Sequence, residues 1–438
     1  MMLLEFLKQT LFSRKLDREV RTIEQHAIFQ FELPSALQQQ LSVTQCALLP
    51  PEFSFYFQLV FLILLQTLFN TILGVFVYKI LVRSQQTTKH DTKKDTPSTK
   101  ALLFAYGIAL PCVVMGPIYL IRELDIRNIG LVIATLSTPI VNSLRITEAL
   151  YGFAPKTAQS NLHNYVTYFS CLYGMEFDDN QQTPKFVTQK FLVQRLTTLL
   201  RDFFIVSLLI SVLIPHRYQF FDTEAAVDSM DHTLSELLSW QHLCNNLLVA
   251  TLLSTSLSQS TLGVSLVYNI LYRVQTYEVV LNPILQSKSP SDFWGRKWNM
   301  LIHNGLKNGV YKPVRKYLSS KLLGVVATFL VSGILHEYIN HVMFFEANSS
   351  NSATTTTTYR FSWKQIIFFG WNGLLILLEY TIGHWKIFDR MAKTLPNMLR
   401  SLLVLCCALP LAHLFVGDWI QRGYFDAIAM AEPILVCR

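Results

Sequence analysis

"LLGVVATFLVSGILHEYIN", Leu322 to Asn340, is the stretch from which the fold is read. A helix needs about 20 mostly apolar residues to cross the hydrocarbon core of a bilayer. This run, continued to Phe345, has that length, yet it carries a His-Glu pair, His336 and Glu337, near its far end. An ionisable side chain charged at the centre of a span costs roughly 2.5–3.5 kcal/mol on insertion scales, so an intramembrane histidine is a functional candidate by default. Immediately before it lies "SDFWGRKWNMLIHNGLKNGVYKPVRK", Ser291 to Lys316, which is basic and aromatic. The two stretches predict a charged surface loop feeding a helix that takes an imidazole into the membrane.

The rest of the chain agrees with a membrane setting. Of 438 residues, 51% are hydrophobic and 15% charged, against about 25% charged in a typical soluble domain. The 20-residue rule picks out Phe53–Val82, Ala101–Ile121, Asp202–Pro215 with its flanks, Glu236–Leu257, Thr261–Leu285, Leu322–Phe345, Trp363–Gly383 and Met398–Trp419. Asn128–Ile146, interrupted by Thr, Ser and Pro, is a weaker candidate that could cross, re-enter or lie on the surface. The expected fold is all-α: a polytopic helical membrane protein with about 8–9 transmembrane helices plus interfacial helices. Residues 1–52 are expected to form an N-terminal amphipathic, interfacial segment, because "MMLLEFLKQTLFSRKLDREV" interleaves charges with its apolar stripe and lacks the continuous apolar core of a cleavable signal. Residues 53–438 form the membrane domain. Ala154–Lys190, too polar to span, is expected to cap the bundle with interfacial helices.

Charge sets orientation. The net charge of +8 reflects basic loops between apolar runs, the cytoplasmic excess of Lys and Arg found in polytopic proteins, rather than a nucleic-acid partner. Arg83–Lys100, Lys288–Lys321 and His384–Lys393 are the basic loops; Glu346–Arg360 carries a Thr run and the sequon Asn348-Ser349-Ser350, and is expected in the lumen with the C-terminus. An even number of crossings must then join the first two basic loops. Eight spans achieve this if Asn128–Ile146 does not cross, which puts the acidic loop His216–Glu236 on the cytoplasmic side. The seven cysteines show no paired spacing and read as packing residues.

For chemistry, Ser332, His336 and Asn340 fall at i−4, i and i+4 on one helix face, which could hold and orient the imidazole. Glu337 points about 100° away. "HEYINH" is not a zinc motif, because the second His would be needed at position 340, where Asn stands; no metal is expected. In the loop, Arg296, Lys297, Lys307, Lys312, Arg315 and Lys316 face a single acid, Asp292, with Phe293, Trp294 and Trp298 interleaved. One reading is an interfacial belt of Trp, Lys and Arg. The other is a phosphate-receiving loop for a nucleotide-bearing molecule, in which Asn299 could hold a carbonyl or a developing oxyanion. Glu379 and His384 could line a cavity or pair loosely; His413 and Asp418 read as structural; Arg122, Arg145 and Glu148 are assigned no chemistry.

"DFWGRKWN", followed about forty residues later by "FLVSGILHEYIN", resembles the membrane-bound O-acyltransferase superfamily and, within it, the wax synthase branch. Those proteins share a Phe-Trp-Gly-Arg-Arg-Trp-Asn block, a Pro-Val segment such as "VYKPVR", and a span with Ser-Gly-x-x-His-Glu. The likeness covers 291–340, roughly a tenth of the chain, and Lys297 stands where Arg is commoner, losing bidentate phosphate geometry. The resemblance implies a multi-pass enzyme of the endoplasmic reticulum membrane that moves a fatty acyl group from acyl-CoA to a lipid alcohol, with no permanently bound cofactor. It implies His336 as catalytic base and Asn299 as the second active-site residue, with Arg296, Lys297, Trp298, Lys312 and Arg315 receiving acyl-CoA. A long-chain alcohol is the first choice of acceptor; diacylglycerol, a sterol, a specialised metabolite or an acetyl donor stay open. A polytopic transporter using His336 and Glu379 is the reading from another class, though the repeated halves common in transporters are not visible.

Overall fold

The computed structural model describes residues 27–32, 38, 45–84, 96–176, 183–222, 229–345, 362–382 and 394–437. The N-terminal amphipathic stretch, the Thr-rich loop with its sequon, most of Arg83–Lys100, and His384–Lys393 lie outside the described residues. Eight helices are long and apolar enough to cross a membrane: α1 Phe53–Val82, α2 Thr99–Glu123, α3 Ile129–Leu150, α5 Gln189–His216, α6 Trp240–Tyr272, α8 Lys321–Phe345, α9 Lys364–Ile382 and α10 Asn397–Gln421. Among the short helices between them are α4 Leu162–Ser170 and α7 Met300–Leu306. The protein is a multi-pass helical membrane protein.

The count matches the expectation, but two memberships differ. Glu236–Leu257 and Thr261–Leu285 are one helix, α6. Its polar middle does not break it, because Thr251, Thr255 and Thr261 donate to the carbonyls one turn back, while Ser258 donates to buried Asp202 of α5 at 2.5 Å. The interrupted segment, conversely, is a full helix, α3, most of it buried. Pro139 cannot donate to the carbonyl of Thr135, and Gln66 of α1 supplies the missing donor at 3.0 Å while accepting from Thr138. A helix surrounded by other helices can carry polar residues that a lipid-facing one cannot. Hydropathy therefore ranked it too low.

Four helices, α2, α3, α5 and α6, now separate the first two basic loops, so parity holds with a different consequence. The loop after α5 lies at the same end as the C-terminal segment: Tyr218 donates to Asp426 at 2.8 Å and packs on Phe425. The expectation that His216–Glu236 shares the end of the basic loops is thus corrected. At that end a three-stranded antiparallel sheet joins β1 Phe29–Glu32, β2 Gln45–Leu49 and β3 Ile434–Cys437, an addition to the helical expectation within residues 1–52. Cys46 is disulfide-bonded and faces Cys437 in the β2–β3 register, so not every cysteine is a packing residue. Residues almost the whole chain apart give no spacing signal. Ala154–Lys190 also differs from a surface cap: Tyr165 and Phe169 of α4 are fully buried, with Phe169 against Gly74 of α1.

Just before β3, Glu432 is buried and accepts hydrogen bonds from Ser207 and Gln259. Burial pushes its carboxyl up to about 8, against the pull of those two bonds. A carboxyl whose folded pKa exceeds its unfolded one contributes stability at low pH that is lost as pH rises from about 4.5 through 8. The thermal midpoint of the purified protein is expected to fall over that interval, and Glu432→Gln to flatten the fall. An equal slope in both proteins would contradict this.

Candidate active site

The site is built where α8 and α9 pack closely. Gly333, in the Ser-Gly of the quoted run, favours this: a Cβ there would meet the Cα of Ile366 at 3.0 Å, tighter than most real Cβ contacts, so the backbone of α9 would have to give way. Three residues on, the His336 ring lies deep in the bundle between Phe369 of α9, with ring centres 4.5 Å apart, and Phe415 of α10, at 5.2 Å. The ring keeps part of its surface accessible. Its Nδ1 lies 2.8 Å from the carbonyl oxygen of Ser332. A carbonyl only accepts, so Nδ1 carries the proton and Nε2 keeps a lone pair. The residue one turn back does hold the imidazole, through its backbone rather than its hydroxyl.

The neighbours divide into separate tasks. Asn340, expected to share in orienting the ring, accepts from Trp419 at 2.7 Å instead. Glu337 is 1% exposed and accepts from the backbone N–H of Gln365 at 3.2 Å and from Ser362 at 3.4 Å. Those groups sit at the start of α9, where a carboxylate meets the unsatisfied amides and the positive end of the helix dipole. The two members of the pair thus have different surroundings: His336 sits between two aromatic rings, and Glu337 caps a helix.

The aromatic block folds inward. Phe293–Lys297 forms one turn of π-helix, and Phe293, Trp294 and Trp298 pack against one another with ring centres 5.1–5.7 Å apart, Phe293 stacking on Trp298. Trp294 also meets Phe368 and Phe369 and donates to Asn372 of α9 at 3.0 Å. These rings are packed into the core rather than spread as an interfacial belt. Asn299 caps α7, its Oδ1 accepting from Ile302 at 3.1 Å, which leaves Nδ2 without a partner among the described residues. No hydrogen bond joins His336 to Asn299 among the described residues; they share a core through Trp294, Trp298, Phe369 and Leu335.

The cations are placed unevenly. Arg296 is 75% exposed and pairs with Asp292 at 3.5 Å; Arg315 is exposed and Lys297 half-buried. Lys312 turns inward, Nζ 5.9 Å from the Phe153 ring, and burial together with the Lys307 charge lowers its pKa against the pull of Glu148. Nearby, a cavity of about 310 Å³ lies among Arg145, Tyr168, Tyr277, Met300, Asn304 and Asn308. None of the five expected binding residues lines it. His303, one helical turn after Asn299, was not singled out from the sequence; burial, Lys307 and Arg296 hold its imidazole down at about 4. Its i+4 spacing from Asn299 was the available signal. With its expected partner His384 outside the described residues, Glu379 does not line the cavity described above. It accepts from both the backbone N–H and the hydroxyl of Ser291 at 2.7 Å. Asp418 pairs with Lys364 at 2.7 Å.

Comparison with known proteins supplies the kinship. Residues 277–361 match the membrane bound O-acyl transferase family. Among curated relatives, probable long-chain-alcohol O-fatty-acyltransferase 9 of Arabidopsis thaliana is 32% identical over 32% of this chain and 39% of its own length. Probable long-chain-alcohol O-fatty-acyltransferase 1 of the same plant is 28% identical over 32% of this chain and 47% of its own. Its acyl-CoA–sterol O-acyltransferase 1 is 33% identical over 34% and 38% respectively. The chain spans less than half the length of these relatives. With the match over 277–361 and eight membrane-length helices around it, the chain resembles the membrane bound O-acyl transferase family, and long-chain-alcohol and sterol acyltransferases are among the proteins it is similar to.

Proposed function

We propose that the protein transfers a fatty acyl group from acyl-CoA to a long-chain alcohol, forming a wax ester. The observation that carries this reading is the state of His336 deep in the bundle: Nδ1–H committed to the Ser332 carbonyl, Nε2 without a hydrogen-bond partner among the described residues, and the residue partly accessible. An alcohol is a weak nucleophile, and Nε2 accepts its proton as oxygen attacks the thioester carbonyl. The new C–O bond drives electrons onto the carbonyl oxygen, and the unpartnered Nδ2 of Asn299 is the donor proposed for that oxyanion. When the C–S bond breaks, the thiolate leaves as CoA and takes the proton back from the imidazolium. Arg296 and Arg315 meet the CoA phosphates at the surface, with Lys297, Trp298 and Lys312 deeper. The proposed residence is the endoplasmic reticulum membrane, the basic loops facing the cytoplasm. Cys46, disulfide-bonded at the opposite end, supports that orientation, because disulfides persist on the oxidising side.

The acceptor is tested by expressing the protein in cells that lack wax esters and triacylglycerol, then profiling their lipids. New esters of long-chain alcohols are the expected result. Sterol esters or triacylglycerol appearing instead would move the assignment to another acceptor, and no new ester would overturn it.

A further inference from the structure

The signature block meets the histidine helix through a ring contact, Trp294 on Phe329 with centres 6.4 Å apart, while its side-chain hydrogen bonds run to α9. Along one stripe of α9, Gln365, Phe369, Asn372, Ile376 and Glu379 recur at helical spacing. Each of the four that are not aliphatic has a defined partner. The backbone of Gln365 is held by Glu337 of α8, and Phe369 lies on the His336 ring. Asn372, fully buried, accepts from Trp294 at 3.0 Å, with its own amide pinned to the Phe368 carbonyl. Glu379 grips Ser291 through two bonds of 2.7 Å.

We infer that α9 is the positioning element of the site: Asn372 and Glu379 fix the block that carries Asn299 in register with His336. The inference rests on the acyl-transfer reading and names two residues that touch no reacting atom. The chemistry of the contacts restricts which substitutions work. The indole N–H of Trp294 needs an acceptor, since a buried donor left alone is costly. Ser291 presents one obligate donor, its backbone N–H, and one hydroxyl that can donate or accept. A glutamine at 379 can therefore keep both bonds, accepting from the N–H and donating to the hydroxyl. The carboxylate charge is not needed for the grip. A transporter using Glu379 as a proton site would need it.

The test uses the full chain, purified in detergent and assayed with long-chain acyl-CoA and a long-chain alcohol. Asn372→Leu and Glu379→Leu are expected to lower kcat by about ten- to a hundredfold, the scale of a small misplacement of reacting groups, with KM for the donor little changed. Glu379→Gln is expected to keep wild-type turnover. Trp294→Phe removes the donor without touching α9, and combined with Asn372→Leu should lose no more than the worse single variant. Additive losses, or loss in Glu379→Gln equal to that in Glu379→Leu, would overturn the inference. Hydrogen exchange over 291–299, read against 332–340, reports position without turnover. Faster exchange in the block alone is expected in both leucine variants. Unchanged exchange would sink the inference whatever the activity. Faster exchange in the leucine variants, alongside a wild type that makes no ester, would instead sink the acyl-transfer reading and leave the clamp standing.

Discussion

His336→Ala is expected to reduce ester formation by about a hundred- to ten-thousandfold, the range over which a positioned general base contributes, while the protein still elutes as a folded species in detergent. The effect comes from a single lone pair. The Ser332 carbonyl fixes the proton on Nδ1, so Nε2 is the ring nitrogen left to accept from an alcohol, and alanine removes it without disturbing the cap that Glu337 makes on α9. His336→Gln fills similar space with an amide that is no base, and is expected to be as inactive. Parallel assays of the two variants at equal protein read the effect; turnover within tenfold of wild type in both would show that another group takes the proton.

The second large effect is on folding. Arg145 is 3% exposed, donates to the carbonyls of Cys171 and Leu172 at 2.7 and 3.1 Å, and lies over the Tyr168 ring at 4.4 Å. Its charge also acts on Glu148, itself buried and bonded to Tyr168. Arg145→Met leaves the carbonyls after α4 without these donors, at about 1–3 kcal/mol for each one left buried and unsatisfied. Total stability of a typical domain is only about 5–15 kcal/mol. The expected outcome is a sharp fall in the yield of monodisperse protein and in its thermal midpoint. Arg145→Lys, which keeps the charge but not the planar fork of donors, should fall in between. A midpoint unchanged in Arg145→Met would contradict the account.

These contrasts show which features a linear reading reaches. Long apolar runs announce α1, α8 and α9 because lipid-facing helices must be apolar along most of their length. Such a rule is blind to α3, whose Pro139 is repaired by Gln66, a partner 69 residues from the carbonyl it serves. It also cut α6 at a polar stretch that α5 and Glu432 satisfy. At the site, the face shared by Ser332 and His336 was legible because helix periodicity is local. Glu337 was not, since its partner is the start of another helix. Glu379 stayed undecided for the same reason: Ser291 lies 88 residues away. The disulfide of Cys46 is likewise a product of topology, whereas His303 lay within reach at i+4 from Asn299.

The central claim is that this bundle brings a base, an alcohol and an acyl-CoA together. It is tested most directly by measuring free CoA released from a long-chain acyl-CoA by the purified protein, with and without a long-chain alcohol. The account predicts release that depends on the alcohol and equals the ester formed, mole for mole. Release that ignores the alcohol, or none at all, would contradict it.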